Sequence, residues 1–378
     1  MNAPLNTAIQ RLLGLDIFRG LLLLIMVSNH TPSPIRAYTN QPLGFVSAAE
    51  AFVFVSAFLC GLIFSRKLAV HGLPEVKRLA RRRAGQIYLY HVLALLFCFA
   101  VIGLLLGHQK PFFNMIHTYL DQPTVAAISA LLLLYQPPLL DILPMYLVFL
   151  LLTPLILKTA MRNGWLPILA SSALLWLVSQ FGLKEWLVSC VDRDWLVINL
   201  GAFNLLSWQL LWIGGLLLGH GMQRNPAGLE SLLSRCPRSL VLGLAIFFFC
   251  WRWPWIPISV ELGGHYWLLD KWRLGPLRLL NFAVLVYLVL WLSPYINKIL
   301  GYFKPLALLG RHMLPLFSLH VCFSLLAIGF VEIYALADPW CYLILSLHLG
   351  LIICVSLWLE RRSETPPGNS AAAPPLYS

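Results

Sequence analysis

Long apolar runs, separated by short polar segments, dominate the chain. A helix needs about 20 such residues to span a bilayer, because the hydrocarbon core is about 30 Å thick and each residue rises about 1.5 Å. The pattern predicts an all-α, polytopic membrane helix bundle of about ten transmembrane helices. The ten runs are residues 15–30, 44–65, 86–107, 142–160, 164–181, 203–221, 239–255, 277–297, 305–330 and 340–359.

The distribution of basic residues predicts the orientation of these spans. Lys and Arg are concentrated in the loop 66–83, and further basic residues fall in the loop 222–238. Cytoplasmic loops carry such an excess, so ten spans place both loops and both termini in the cytoplasm. The apolar run 125–135 is short, and we interpret it as a re-entrant or interfacial helix. If it spanned the membrane, the later basic loop would lie outside.

Composition supports a membrane protein and excludes an ordinary soluble domain. The chain of 378 residues is 59% hydrophobic and only 11% charged, whereas soluble domains carry roughly 25% charged residues. The net charge of +12 resides in loops, so we expect no nucleic-acid partner. The eight cysteines show no Cys-x-x-Cys spacing, and no metal site is expected. We predict one membrane domain over residues 1–362 and a disordered cytoplasmic tail over 363–378, which is rich in Pro, Ala and Ser.

Arg19 and His30 are ionisable residues within the first apolar run. Charged side chains cost about 2.5–3.5 kcal/mol at the centre of a spanning helix, so they usually mark function. Eleven residues make about three turns, which places both side chains on one face, about 16 Å apart. Arg suits phosphate or carboxylate, and imidazole suits a general base. Alternatively, Asp16 neutralises Arg19 and His30 is structural.

Further polar residues fall at or near the ends of the predicted spans, and His320 lies deep within its span. Glu50 opens the second span on the same side as His30, so it could orient the imidazole, or it could form a structural ion pair. The remaining residues could line one cavity or make interhelical hydrogen bonds: Asp141, Tyr146, Asn204, Gln209, Arg311 and His320. The long outer loops could bind an external substrate or be merely solvated, and their charged residues include Asp192, Arg193, Asp194 and Glu261.

These residues fall into ordered blocks that resemble the OpgC family, within the acyltransferase family 3 superfamily of membrane acyltransferases. The first block is Arg19 and His30 with ten residues between them. The second runs from Glu50 through Ser56 to Phe58, with Ala57 where the family commonly has Gly. The others are Asp141-Ile-Leu-Pro-Met-Tyr146, Phe203-Asn204 with Trp208-Gln209, Leu274-Gly-Pro-Leu-Arg278, and Leu309-Gly310-Arg311 through His320.

The resemblance implies a multi-pass enzyme of the bacterial inner membrane. Its reaction would be O-acylation of a periplasmic glucan, with succinyl (or acetyl) taken from cytoplasmic acyl-CoA, succinyl-CoA being favoured. Acyl-CoA would be a co-substrate, and no bound cofactor is expected. The partners would be acyl-CoA, the glucan and the lipid bilayer.

The same resemblance suggests roles for individual residues. His30 would remove a proton from a glucan hydroxyl, with Glu50 orienting it. Acyl-CoA would bind at Arg19, Arg82 and Arg83. The supporting residues would be Asp16, Ser56, Asp141, Tyr146, Asn204, Gln209, Arg311 and His320, of which His320 or Asn204 could stabilise an oxyanion.

Two other classes of function fit the pattern of spans. A transporter or flippase for an anionic or glycan substrate could use Arg19 and His30 for coupling or for anion passage. A structural subunit of an envelope-glycan complex would tolerate changes at both positions.

Overall fold

The computed structural model describes residues 3–191, 196–253 and 264–364. Over these ranges the chain is all-α, as the hydropathy pattern predicts. A π-helical segment, Phe97–Leu106, continues α3, and two 3₁₀ turns occupy Tyr266–Leu269 and Gly301–Phe303. The α-helices are α1 Ala3–His30, α2 Arg36–Thr39, α3 Ala48–Leu96, α4 Lys110–Asp121, α5 Pro123–Leu131, α6 Ile142–Asn163, α7 Leu166–Ser179, α8 Leu183–Val191, α9 Leu205–Arg224, α10 Pro226–Ser234, α11 Arg238–Arg252, α12 Pro276–Leu300, α13 Lys304–Arg311, α14 Met313–Ile333 and α15 Asp338–Glu364.

Seven helical stretches in the described residues are long and apolar enough to cross a membrane, or nine if two sharply bent helix pairs each count as one span. The protein is therefore a multi-pass membrane protein. The longest stretch, Ala48–Leu106, has 59 residues and contains two of the predicted spans. It breaks at Gly72, where φ is 76° and ψ is 179°, a conformation that favours glycine. The ten-span count and the sides of the termini stay predictions.

The predicted span 305–330 is wrong at its start, because two helices divide it. The short helix α13 ends at Arg311, and His312 interrupts the helix with φ −97° and ψ 26°. The apolar helix α14 begins only at Met313. Because apolar residues lie on both sides of the break, the hydropathy pattern predicted one continuous span instead of two helices. By contrast, most of the short run 125–135 lies in the nine-residue helix α5, which is about 14 Å long and too short to span.

Glycine residues allow two pairs of helices that carry polar residues to pack closely. The short helix α13 packs along α1, where Gly310 lies against the backbone of Asp16. In the same way, Gly215 and Gly219 of α9 lie against the backbone of α3 at Phe54 and Phe58. A Cβ atom at any of these glycines would collide with backbone, so small residues set the spacing of the helices.

Some of the predicted features lie outside the described residues. The predicted disordered tail begins at residue 363, and the described chain ends at residue 364. The outer-loop residues Asp192, Arg193, Asp194 and Glu261 also lie outside it. Their roles stay predictions.

Candidate active site

Three histidines from three helices form a chain of hydrogen-bonded rings. His30 is the last residue of α1, His320 lies in α14 and His348 lies in α15. The Nδ1 atom of His30 is 2.9 Å from Nε2 of His320, and Nδ1 of His320 is 3.3 Å from Nε2 of His348. The ring planes are close to parallel, with an angle of 13° between His30 and His320 and of 22° between His320 and His348. His320 and His348 are fully buried at 0% exposure, which places the chain within the protein.

A buried threonine ends the chain of rings. The Thr31 Oγ1 atom is 2.8 Å from Nδ1 of His348 and donates to the carbonyl oxygen of Val27 at 2.8 Å. Ser324 Oγ lies 3.3 Å from Nδ1 of His320. Sequence reasoning missed both Thr31 and His348. A signal existed for His348, because it is a histidine in the middle of an apolar run, as His320 is.

The hydrogen bonds of Glu50 go to Ser47 and Arg278, and none of those in the described residues joins it to His30. One Glu50 oxygen accepts from the backbone N–H of Ser47 at 3.0 Å and also from the Ser47 hydroxyl. The other oxygen accepts from Nε of Arg278 at 2.5 Å. Glu50 therefore caps the start of α3 and holds α12 through a long-range ion pair, which is the structural alternative.

The ion pair between Glu50 and Arg278 lies deep inside the bundle. Their side chains are 0% and 2% exposed, and Arg278 also donates to the Leu269 carbonyl oxygen at 3.4 Å. Lys271 lies nearby, with its ammonium 4.8 Å from the centre of the Trp272 ring. Burial lowers the pKa of Lys271, and the Glu50 carboxylate acts in the opposite direction. A buried pair of this kind costs stability if one partner is removed.

A second feature is a small cavity, of about 20 Å³, that is lined by two arginine side chains. Arg19 comes from α1 and Arg83 from α3, beyond the break at Gly72. Because guanidinium binds phosphate and carboxylate oxygens well, the cavity is suited to an anionic group. Its lining consists of Arg19, Phe52, Ser56, Arg83, Ile87, Leu143, Tyr146, Met313, Leu314 and Phe317.

The electrostatic environment of Arg19 leaves part of its hydrogen-bonding capacity unused. Its Nη1 atom is 3.5 Å from Oδ1 of Asp16, so Asp16 does offset the charge, as the sequence allowed. Its Nε atom is buried and has no hydrogen-bond partner among the described residues. Arg83 donates to the Gln86 side chain at 3.2 Å. Arg82 is exposed and does not line this cavity.

A stacked aromatic pair lines the cavity, and one of its two rings contacts the histidine chain. The rings of Phe52 and Phe317, which both line the cavity, are stacked with centroids 6.0 Å apart and planes at 7°. Phe317 also meets His320 edge-on, with centroids 6.1 Å apart. His30 does not line this cavity. Phe317 therefore lies between the cavity and the ring of His320.

The structure brings only some of the supporting residues together. Ser56 and Tyr146 line the arginine cavity, whereas Asp141, Asn204, Gln209 and Arg311 make contacts elsewhere. Asp141 accepts from the Ala202 N–H at 2.9 Å, and Asn204 caps α9 through the N–H groups of Leu206 and Ser207. Gln209 exchanges two hydrogen bonds with Ser172 of α7, and Arg311 pairs with Glu360 of α15.

Burial raises the pKa of the Asp141 carboxyl above its ordinary value, and the backbone N–H of Ala202 acts in the opposite direction. Within the described residues, no group of three or more His, Cys, Asp or Glu side chains is placed to hold a metal ion. The three imidazoles contact one another in series, so they do not converge on a common point.

The fold and these features define a multi-pass helical membrane protein that contains a buried histidine chain next to an arginine-lined cavity. The sequence model of the OpgC protein family matches residues 11–364. The chain belongs to the OpgC family, so the resemblance is confirmed. Membership indicates an acyltransferase related to osmoregulated periplasmic glucans. No curated protein and no solved structure matches the chain.

Proposed function

We propose that the protein is an O-acyltransferase of the bacterial inner membrane that transfers succinyl (or acetyl) from cytoplasmic acyl-CoA to a hydroxyl of a periplasmic glucan. Its family supports the reaction class. The observation that carries the proposal is the environment of His30. Among the hydrogen bonds of the described residues, His30 is joined through Nδ1, which is 2.9 Å from Nε2 of His320, so Nε2 is the nitrogen left for a substrate. An imidazole with one nitrogen held and the other free is suited to general-base catalysis.

The arginine cavity is the proposed site for the charged part of the donor. Coenzyme A is long and narrow, with phosphates at one end and the thioester at the other. Arg19 and Arg83 would bind the phosphate oxygens, and the exposed Arg82 would add positive charge outside the cavity. Ser56 and Tyr146 offer hydroxyl groups along the wall of the cavity.

The chemistry follows from the free nitrogen of His30. Nε2 takes the proton of a sugar hydroxyl while the sugar oxygen attacks the carbonyl carbon of the thioester. The tetrahedral intermediate then expels the sulfur of coenzyme A as a thiolate. The imidazolium returns the proton to this sulfur, which leaves an ester on the sugar, free coenzyme A and a neutral His30. The donor and acceptor meet directly, and no acyl-histidine is required.

The Phe52–Phe317 pair gives this proposal a conformational requirement. The thioester must reach His30 from the cavity that contains Arg19, and Phe317, stacked on Phe52, lies between the cavity and His320. We therefore expect donor binding to displace this pair. Until then, the rings would keep outer water away from the thioester.

Mass spectrometry of the periplasmic glucans from cells that produce the wild-type protein or His30→Ala tests the proposal. The wild-type sample is expected to gain the mass of one or more succinyl or acetyl groups, and the variant sample is not. His71→Ala is the matched control, since His71 is an exposed histidine and should leave the glucan mass shift intact. Full acylation by His30→Ala, in cells without another acyltransferase for the glucan, would end the proposal. Export of unmodified glycan would favour a transporter.

A further inference from the structure

The hydrogen bonds of Thr31 determine where the proton of its hydroxyl lies. The oxygen is 2.8 Å from two groups, the carbonyl oxygen of Val27 and Nδ1 of His348. A hydroxyl has one proton to donate. Two oxygens at 2.8 Å without a proton between them repel each other, so the Thr31 proton points to Val27. The nitrogen of His348 must then donate to the Thr31 oxygen.

This assignment passes along the chain of rings. A neutral imidazole carries one N–H and one lone pair. If Nδ1 of His348 carries its proton, Nε2 accepts from Nδ1 of His320. Nε2 of His320 is then the acceptor for Nδ1 of His30, and the lone pair of His30 lies on Nε2. The hydrogen-bond partners of His320 and His348 are hydroxyls and imidazoles. Because a buried imidazolium without a carboxylate partner is costly, both rings are taken as neutral.

We propose that the Thr31 hydroxyl, acting through His348 and His320, fixes the tautomer of His30 so that Nε2 is unprotonated. Thr31, His348 and His320 are thus positioning residues. The catalytic consequence rests on the proposed function, since a general base needs this lone pair. If the order of tautomers were reversed, His30 would carry its proton on Nε2 and would be unable to accept one there. The wrong tautomer of a catalytic histidine lowers turnover strongly in serine proteases.

The charged groups around His30 do not alter this order of hydrogen bonds. Arg36 from α2 and Lys271 from the turn before α12 act on His30 electrostatically. Glu50 and Arg278, from α3 and α12, neutralise each other as a pair. These charges affect how readily His30 takes up a proton, whereas the Thr31 contact selects which nitrogen carries the proton of the neutral ring.

Thr31→Val and Thr31→Ser test the proposal in the full-length protein. Valine has nearly the same shape but no oxygen, and the Val27 carbonyl keeps its bond from the backbone N–H of residue 31, which is 3.0 Å in the wild type. Freed from Thr31, His348 would populate both tautomers. We expect kcat to fall by about two- to fivefold, with an unchanged KM for acyl-CoA. Serine should restore kcat to near the wild-type value.

Ser28→Ala is the matched control. Ser28 lies in the last turn of α1, just before Thr31, and its hydroxyl donates to the carbonyl oxygen four residues earlier, Leu24, at 3.0 Å. It makes this same type of bond to the backbone without touching the ring chain, so its loss should leave kcat unchanged. The deficit of Thr31→Val should also persist at every pH where His30 is neutral, because a tautomer is not a protonation state. A deficit that higher pH removes would contradict the proposal.

Nitrogen-15 NMR of protein labelled at histidine gives a readout that does not depend on activity. In the wild type, His30 should show a protonated Nδ1 and an unprotonated Nε2, with the signals assigned by single substitutions. Thr31→Val should show a mixture, while Thr31→Ser and Ser28→Ala should match the wild type. A wild-type His30 protonated on Nε2, or a Thr31→Val spectrum identical to the wild type, overturns the proposal. If wild-type protein transfers no acyl group, the proposed function fails, and this spectrum still decides the assignment.

Discussion

Replacing Glu50 by Gln separates a structural role of this carboxylate from a catalytic one. The structure pairs Glu50 with Arg278 at 2.5 Å, and both side chains are almost fully buried. Removal of the carboxylate charge leaves the guanidinium of Arg278 buried and unpaired. Breaking a buried pair costs about 3–5 kcal/mol. We expect the lower end, about 3 kcal/mol, because the amide oxygen of Gln can still accept one hydrogen bond.

The assay measures stability and activity on the same purified samples. At about 2 °C per kcal/mol for large domains, a loss of about 3 kcal/mol corresponds to a fall in Tm of roughly 6 °C in detergent. Activity per folded molecule should stay within about threefold of the wild type, because Glu50 makes no hydrogen bond with His30 among the contacts described. The double variant Glu50→Leu with Arg278→Met should recover most of the Tm, since both charges leave together.

Glu75→Gln is the control, because Glu75 forms an exposed ion pair with Arg78 at 2.8 Å. Such pairs contribute little, so its Tm should not change measurably. The structural role of Glu50 is refuted if Glu50→Gln keeps the wild-type Tm and loses more than about tenfold in activity. That result would return Glu50 to the role of orienting His30.

Three further predictions concern the cavity, the aromatic pair and Asp141. Arg83→Ala should raise the KM for acyl-CoA about tenfold with little change in kcat, because one charge-assisted contact is lost, while Arg82→Ala should have a smaller effect; equal effects would contradict the cavity assignment. Phe317→Ala should increase hydrolysis of acyl-CoA without acceptor, measured as released thiol, because water gains access to the thioester; unchanged hydrolysis would remove the barrier role. Asp141→Asn should be at least as stable as the wild type, with an advantage that grows as pH rises above the ordinary Asp pKa. The folded pKa is raised, so ionisation costs stability. Asp141→Ala should be less stable than the wild type, because it leaves the Ala202 N–H unpaired. If the Tm advantage of Asp141→Asn over the wild type shrank with rising pH, the pKa of Asp141 would be lowered in the folded protein and the prediction would be wrong.

The sequence was sufficient for the all-α membrane class, since hydropathy records directly how much of each helix faces apolar surroundings. It was insufficient at the start of α14, because His312 does not reveal a helix break when apolar residues flank it. The break depends on α13 packing against α1, a tertiary contact that hydropathy does not record.

The candidate site shows the same division between local and long-range information. Helical spacing correctly identified Arg19 and His30 as residues of one helix, but it could not indicate their partners. Glu50 was assigned to His30 because the two are close in sequence, whereas its partner Arg278 is 228 residues away. His348 was missed because its relation to Thr31, 317 residues away, exists only in the folded chain.

The most direct test of the account is acyl transfer across a sealed bilayer. Purified protein is reconstituted into vesicles with glucan inside, and acyl-CoA labelled in the acyl group is supplied outside. Wild-type protein inserted with the arginine cavity facing outward should place label on the enclosed glucan, and His30→Ala should not. Equal labelling by both proteins would contradict the account. Unlabelled glucan in wild-type vesicles would also contradict it, provided that the same acyl-CoA and glucan react in cells.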